Sequence, residues 1–273
     1  MQILQFLYEP FTFSFMQRGL IAGVVVGILC AVMGTYVVLR GMAFLGDALA
    51  HAIMPGVAIS YLLGGNLFIG AIIAAVLVAL GIGAISRQGS IKEDTAIGIL
   101  FASALSLGIA LISSVKSYAV DLSHIMFGNI LGVTQTDLLI TVVFSLAILG
   151  TVVALFRPFL VLSFDPILAQ TMKLPVNLLN NLLLVLLAVS VVISLQTVGI
   201  GLSAAMLVTP AGTAYLLTRR LQRMMLVSAL IGAVSALVGL FLSYYLNIVS
   251  GSAIVLVSTL IFFFVYAIKK GKR

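Results

Sequence analysis

The chain has 273 residues, of which 63% are hydrophobic and 8% charged, with a formal net charge of +7. A soluble domain carries about 25% charged residues, so no water-facing surface can be built here, and a soluble enzyme, a nucleic-acid-binding domain and a disordered chain are excluded. A mean hydropathy of +1.32 makes lipid the solvent.

The opening stretch, MQILQFLYEPFTFSFMQRG, has no charged n-region and carries Glu9-Pro10, which does not match a cleaved secretory signal. Apolar runs follow at 19–39, 43–63, 67–86, 95–114, 138–156, 178–197, 200–217, 224–246 and 251–268. A helix needs about 20 apolar residues to cross the hydrocarbon core. These runs are too long and too continuous for barrel strands. The expected fold is all-α: a polytopic transmembrane helical bundle of eight or nine spans, forming a single domain over 1–273 with no linker. The run 200–217 is the weakest, because it is rich in small residues and contains Pro210, as a broken or re-entrant element would. Cys30 lies within an apolar run and offers neither a disulfide framework nor a thiolate metal site.

The basic residues set the orientation. Under nine spans, Arg40, Arg87, Lys92, Arg157, Lys173, Arg219, Arg220, Arg223, Lys269, Lys270, Lys272 and Arg273 share one side, and only Arg18 and Lys116 take the other. The positive-inside bias makes the crowded side cytoplasmic. The C-terminus is then inside and the N-terminus outside; a re-entrant segment would reverse the second assignment.

Polar residues within the spans are the candidates for function. Asp47 lies inside the second run, with His51 four residues on and Pro55 a turn later. An i,i+4 pair shares one helical face. A carboxylate facing lipid costs about 2.5–3.5 kcal/mol, so Asp47 is expected to face the bundle interior or a wet pathway. Carboxylate oxygen and neutral imidazole suit borderline divalent metals. One chain offers two such donors; two copies meeting at a two-fold axis offer four. The plain alternative is a buried Asp–His pair whose members hydrogen-bond to each other. A zinc protease motif of the HExxH type is absent, and there is no convincing second intramembrane Asp for an aspartyl protease.

Farther along, Asp121 and His124 lie three apart in the outer stretch 115–137 and are candidates for an outer gate or a receptor-facing site. A short interfacial helix with surface polar groups explains them as well. Gly23 and Gly27, and Gly128 and Gly132, have the GxxxG spacing that permits close helix packing. The inner stretch RPFLVLSFDPILAQTMKLP reads as a short helix with Asp165 as N-cap and Pro166 at the first helical position. Leu168, Ala169 and Met172 form a small apolar face, and Pro175 follows the end. This is either a capped loop helix or a docking element. No GxxxxGK[ST] pattern occurs, so the chain should not hydrolyse ATP itself.

Six stretches together resemble the membrane permease subunits of bacterial ABC importers for manganese, zinc or iron. They are LRGMAFLGDALAHAIMPGVA (39–58), KEDTAIGILFASALSLGIALI (92–112), DLSHIMFGNILGV (121–133), SFDPILAQTMKLP (163–175), VISLQTVGIGLSAAMLVTPAGTAYLL (192–217) and SGSAIVL (250–256). The resemblance implies a multi-pass protein of the bacterial cytoplasmic membrane and pairing with a second permease copy or a paralogue. It also implies cytoplasmic ATP-binding subunits and an extracytoplasmic metal-binding protein as partners. Asp47 and His51 become the pathway metal ligands. Residues 164–174 become the coupling helix, with Phe164, Asp165, Leu168, Ala169 and Met172 as its contact residues. No cofactor is held permanently; the metal is cargo, manganese or zinc first and iron third. The rival function is a stand-alone proton-coupled metal transporter or channel that uses Asp47 and His51 as a relay.

Overall fold

The computed structural model describes residues 9–87, 91–113 and 130–271. Among these residues every regular element is helical. In chain order the α-helices are α1 (Ser14–Leu39), α2 (Leu45–Ala52), α3 (Met54–Leu62), α4 (Leu67–Ser86) and α5 (Glu93–Ser113). They continue with α6 (Gln135–Ala154), α7 (Phe156–Phe164), α8 (Pro166–Thr171), α9 (Val176–Val198), α10 (Ile200–Leu217), α11 (Leu221–Leu246) and α12 (Ser250–Lys270). Taking α2 and α3 together as Leu45–Leu62, eight described segments are long and apolar enough to cross a membrane, and Leu202–Leu217 is a shorter apolar helix. The expected all-α bundle of eight or nine spans is what the chain forms.

Local chemistry explains the interruptions. Pro55 falls in the first turn of α3 and has no N–H to give to the His51 carbonyl one turn back, so the span divides at Ile53. The Ile53 N–H bonds to that carbonyl instead. The expected break within 200–217 does not occur: α10 runs unbroken through Pro210. One proline costs a helix a single hydrogen bond, which a membrane helix tolerates when its surroundings re-satisfy the freed carbonyl. The discontinuity falls earlier, at Gly199, whose φ of 89° and ψ of 171° lie in a region essentially restricted to glycine.

Contacts divide the helices into two compact units. One comprises Met1–Thr35, Met126–Ala147 and Ile193–Arg273. Within it α10, α11 and α12 pack against one another, and α1 crosses α11 at two glycines. A Cβ on Gly27 would stand 2.8 Å from the Gly232 carbonyl oxygen, so the backbones approach as closely as small residues allow. The Ser228 hydroxyl donates to the Ala31 carbonyl at 2.8 Å beside that crossing. The Gly23/Gly27 spacing is therefore used for packing.

The other unit comprises Tyr36–Ile125 and Ile148–Val192. Here α2, α3 and α4 gather around α5, and α7 packs on α8. The Tyr36 and Phe159 rings meet edge to face with centroids 5.8 Å apart, both fully buried. This unit carries Asp47, His51 and α8.

Candidate functional site

Asp47 stands in the first turn of α2, where the helix dipole favours a carboxylate. His51 follows one turn later. Its Nδ1 lies 3.0 Å from the backbone oxygen of Asp47 and 3.8 Å from the Asp47 carboxylate. The second distance exceeds hydrogen-bond length, so the two side chains do not satisfy each other, contrary to the plain buried-pair reading. A carbonyl oxygen only accepts, so Nδ1 carries the proton in this contact, and in the neutral ring of that tautomer Nε2 holds the lone pair.

The exposure of the pair is informative. Leu45, Gly46, Ala48, Leu49, Ala50 and Ala52 of α2 are all buried. The His51 side chain remains 25% exposed and that of Asp47 43%. The two polar groups occupy the one face of α2 that the chain leaves open, rather than its own interior. In a bilayer such a face needs a polar neighbour or water. Among the described residues no group of three or more His, Cys, Asp or Glu side chains comes together. The described part of a single chain therefore presents one oxygen donor and one nitrogen donor at this face, fewer than a complete metal shell needs.

The short helix α8 forms as its capping residues require. The Asp165 carboxylate accepts from the Ile167 and Leu168 amides at 2.9 and 3.0 Å, and Pro166 opens the helix. At the other end Lys173 takes a left-handed φ of 57°. Lys173 N–H bonds to the Gln170 carbonyl and Leu174 N–H to the Ala169 carbonyl, the paired bonds of a Schellman close. Phe164, Ile167, Leu168 and Met172 are exposed apolar side chains at this helix, whereas Ala169 is fully buried against its own chain. Ala169 thus seats α8, and Ile167, which the sequence reading passed over, joins the exposed set. Asp165→Ala is expected to cost about 1 kcal/mol of local stability and to speed amide exchange at Ile167 and Leu168. Unchanged exchange at both would contradict the cap.

Sequence reasoning also missed a polar cluster. Arg40, at the end of α1, donates from Nη2 to Glu93 at 2.8 Å and to Asn180 at 2.5 Å. Glu93 opens α5 and Asn180 lies in the second turn of α9. The Arg40 side chain is 11% exposed and that of Glu93 24%. Burial pulls the Arg40 guanidinium below its usual range, and the charge of Glu93 opposes the shift. An open cleft of about 400 Å³ runs from this cluster to Pro166 and Gln170 of α8, with Arg87 and Lys92 also on its wall. In the sequence Arg40 counts only as one more basic residue at a span end. Asp121 and His124 lie outside the described residues.

Comparison with known proteins agrees on one family. The ABC 3 transport family matches residues 12–269. The manganese transport system membrane protein MntC of Listeria monocytogenes is 48% identical over 268 residues, covering 97% of this chain and 95% of that protein. The manganese import system permease protein ScaB of Streptococcus parasanguinis is 46% identical, covering 96% of this chain and 93% of that protein. Among solved structures, a chain of PsaBC from Streptococcus pneumoniae in complex with Fab superposes with a TM-score of 0.84 at 45% identity, covering 97% of this chain and 95% of that one.

Proposed function

Because this chain belongs to the ABC 3 transport family and is the permease subunit of an ABC-type metal importer, we propose that its cargo is manganese and that Asp47 and His51 are the residues that hold it in transit. The observation that carries the site is the open face of α2. It presents a carboxylate and an imidazole that stand beyond hydrogen-bond length of each other, with the imidazole held through Nδ1 by the Asp47 backbone oxygen. Two copies of the chain, or this chain and a paralogous permease, would bring two such faces together and supply four donors. Oxygen and imidazole nitrogen are hard-to-borderline ligands suited to manganese. The names of the relatives above support that metal over zinc and iron.

The rest of the machine follows from the same premise. The chain has no nucleotide-binding motif of its own, so ATP is hydrolysed by a separate cytoplasmic subunit. The exposed apolar side chains Phe164, Ile167, Leu168 and Met172 support α8 as the element that docks there. The positive-inside bias supports a cytoplasmic side for α8 and the C-terminus. An extracytoplasmic metal-binding protein delivers the ion on the opposite side, where Asp121 and His124 are candidates for the outer gate. Movement of α8 with the ATP cycle alternates which side of the Asp47–His51 site is open. The site binds well enough to select the ion and weakly enough to let it leave.

Reconstitution tests this directly. The permease with its ATP-binding subunits and metal-binding protein in proteoliposomes should take up manganese only with ATP, and zinc and ferrous iron should compete poorly. Uptake by the permease alone, without ATP, would overturn the importer mechanism in favour of a stand-alone carrier.

A further inference from the structure

The aromatic ring beside the histidine has no assigned part in this scheme. Phe44, the N-cap of α2, stands three residues before Asp47 and seven before His51, and its helical φ and ψ bring all three onto one side of that helix. Against that face α5 places Phe101. Its ring meets the His51 imidazole nearly at right angles, with centroids 5.9 Å apart and an interplanar angle of 83°. The same ring meets Phe44 at 6.0 Å and 87°. Phe101 therefore touches both ends of the stripe that has Asp47 in its middle. Two turns along α5, Gly108 lets this helix close on the break between α2 and α3, where an added Cβ would stand 2.7 Å from that of Met54.

We propose that Phe101 is a positioning residue for the metal pathway, holding the His51 imidazole in the plane and tautomer that present Nε2 to the cation. The proposal rests on the reading of Asp47 and His51 as ligands. An imidazole has two soft torsions. The bond from Nδ1–H to the Asp47 carbonyl restrains one edge of the ring but leaves it free to swing about that contact. A perpendicular aromatic ring within 6 Å favours one interplanar angle, which removes the swing. With both restraints the proton stays on Nδ1 and the lone pair on Nε2. Without Phe101 the ring can turn, lose the carbonyl and populate the other tautomer, in which Nε2 carries the proton and cannot ligate. Outer partners that orient a ligating histidine are worth about 10–100-fold in metal affinity. They also sharpen selectivity, because a loosened donor accommodates geometries that a fixed one rejects.

The test separates ring from bulk and positioning from ligation. The full-length permease carrying nitrogen-15 histidine is compared as wild type, Phe101→Leu and Phe101→Tyr. The chain has two histidines, so the His51 signals are identified by their loss in His51→Asn. Wild type and Phe101→Tyr should show a single Nδ1–H tautomer for His51, and Phe101→Leu a mixture. In the reconstituted importer Phe101→Leu should raise the KM for manganese about tenfold, leave the maximal rate within a factor of about two, and relax discrimination against zinc. Phe101→Tyr should restore all three. A single Nδ1–H tautomer in Phe101→Leu, or an unchanged KM, would overturn the proposal, because a packing role is met by leucine as well as by phenylalanine. The tautomer is read without metal or transport. A failure of the ligand assignment shows instead as normal uptake by Asp47→Ala and His51→Ala.

Discussion

Asp47→Ala and His51→Ala are each expected to reduce manganese uptake by about a hundredfold or more, with the permease still assembling with its ATP-binding subunits. The size follows from donor arithmetic. Each chain offers one carboxylate and one imidazole, and no third His, Cys, Asp or Glu joins them among the described residues. Either substitution, present in both copies, removes half of the four proposed donors. Loss of a residue that merely orients a ligand costs about 10–100-fold, and loss of the ligand itself costs at least as much. Asp47→Asn separates charge from shape. It keeps an oxygen donor but removes the negative charge that offsets the cation, so it should fall between wild type and Asp47→Ala. Both side chains are partly exposed in the chain, and neither leaves a large cavity when truncated. Stability should therefore change little, and a thermal midpoint close to wild type would tie the loss of uptake to the site. Radiometal uptake at wild-type rates in both alanine variants would remove Asp47 and His51 from the pathway.

Arg40→Ala is expected to be the most destabilising single substitution among the polar residues, by about 3–5 kcal/mol. Its guanidinium serves two acceptors from two other helices, Glu93 and Asn180. Removing it leaves the Glu93 carboxylate half-buried without its counter-charge, and that stranded charge, rather than the lost bond, sets most of the cost. Asn180 offers only a distant amide to the same carboxylate, at 3.5 Å. The sharper test is the pair: Arg40→Met with Glu93→Leu removes both charges and should recover most of the lost stability, since apolar residues of similar volume replace a buried ion pair at little cost. Thermal or denaturant unfolding of the purified permease measures both. An Arg40→Ala midpoint equal to wild type would show that the cluster is solvated and contributes nothing. The cleft beside the cluster reaches α8, so Arg40→Ala should also lower the coupling of ATP hydrolysis to uptake.

The parts legible in the sequence were those governed by local rules. Span positions came from hydropathy, because lipid demands long apolar helices wherever the chain crosses. The cap of α8 came from Asp165-Pro166, because an N-cap involves residues two or three apart. The division between α2 and α3 at Pro55 obeys the same kind of local rule. The one local rule that misled was Pro210, which lies in an unbroken helix while Gly199 makes the turn. Asp47 and His51 stood out because charge is scarce in this chain. Family membership was equally legible, since the motifs that carry it are contiguous.

What the tertiary structure alone decided was which apolar face meets which. In a soluble helix a polar stripe marks the outward side, but here lipid-facing and protein-facing residues are both apolar, and little periodicity distinguishes them. No pattern in the sequence could therefore pair Arg40 with Glu93 and Asn180, which lie 53 and 140 positions away. Nor could it set Phe101 against His51, or turn Ala169 inward and Ile167 outward on α8. Scarce charge singled out the two residues proposed to hold the ion. Helix packing, which depends on shape rather than polarity in this solvent, decided what surrounds and orients them.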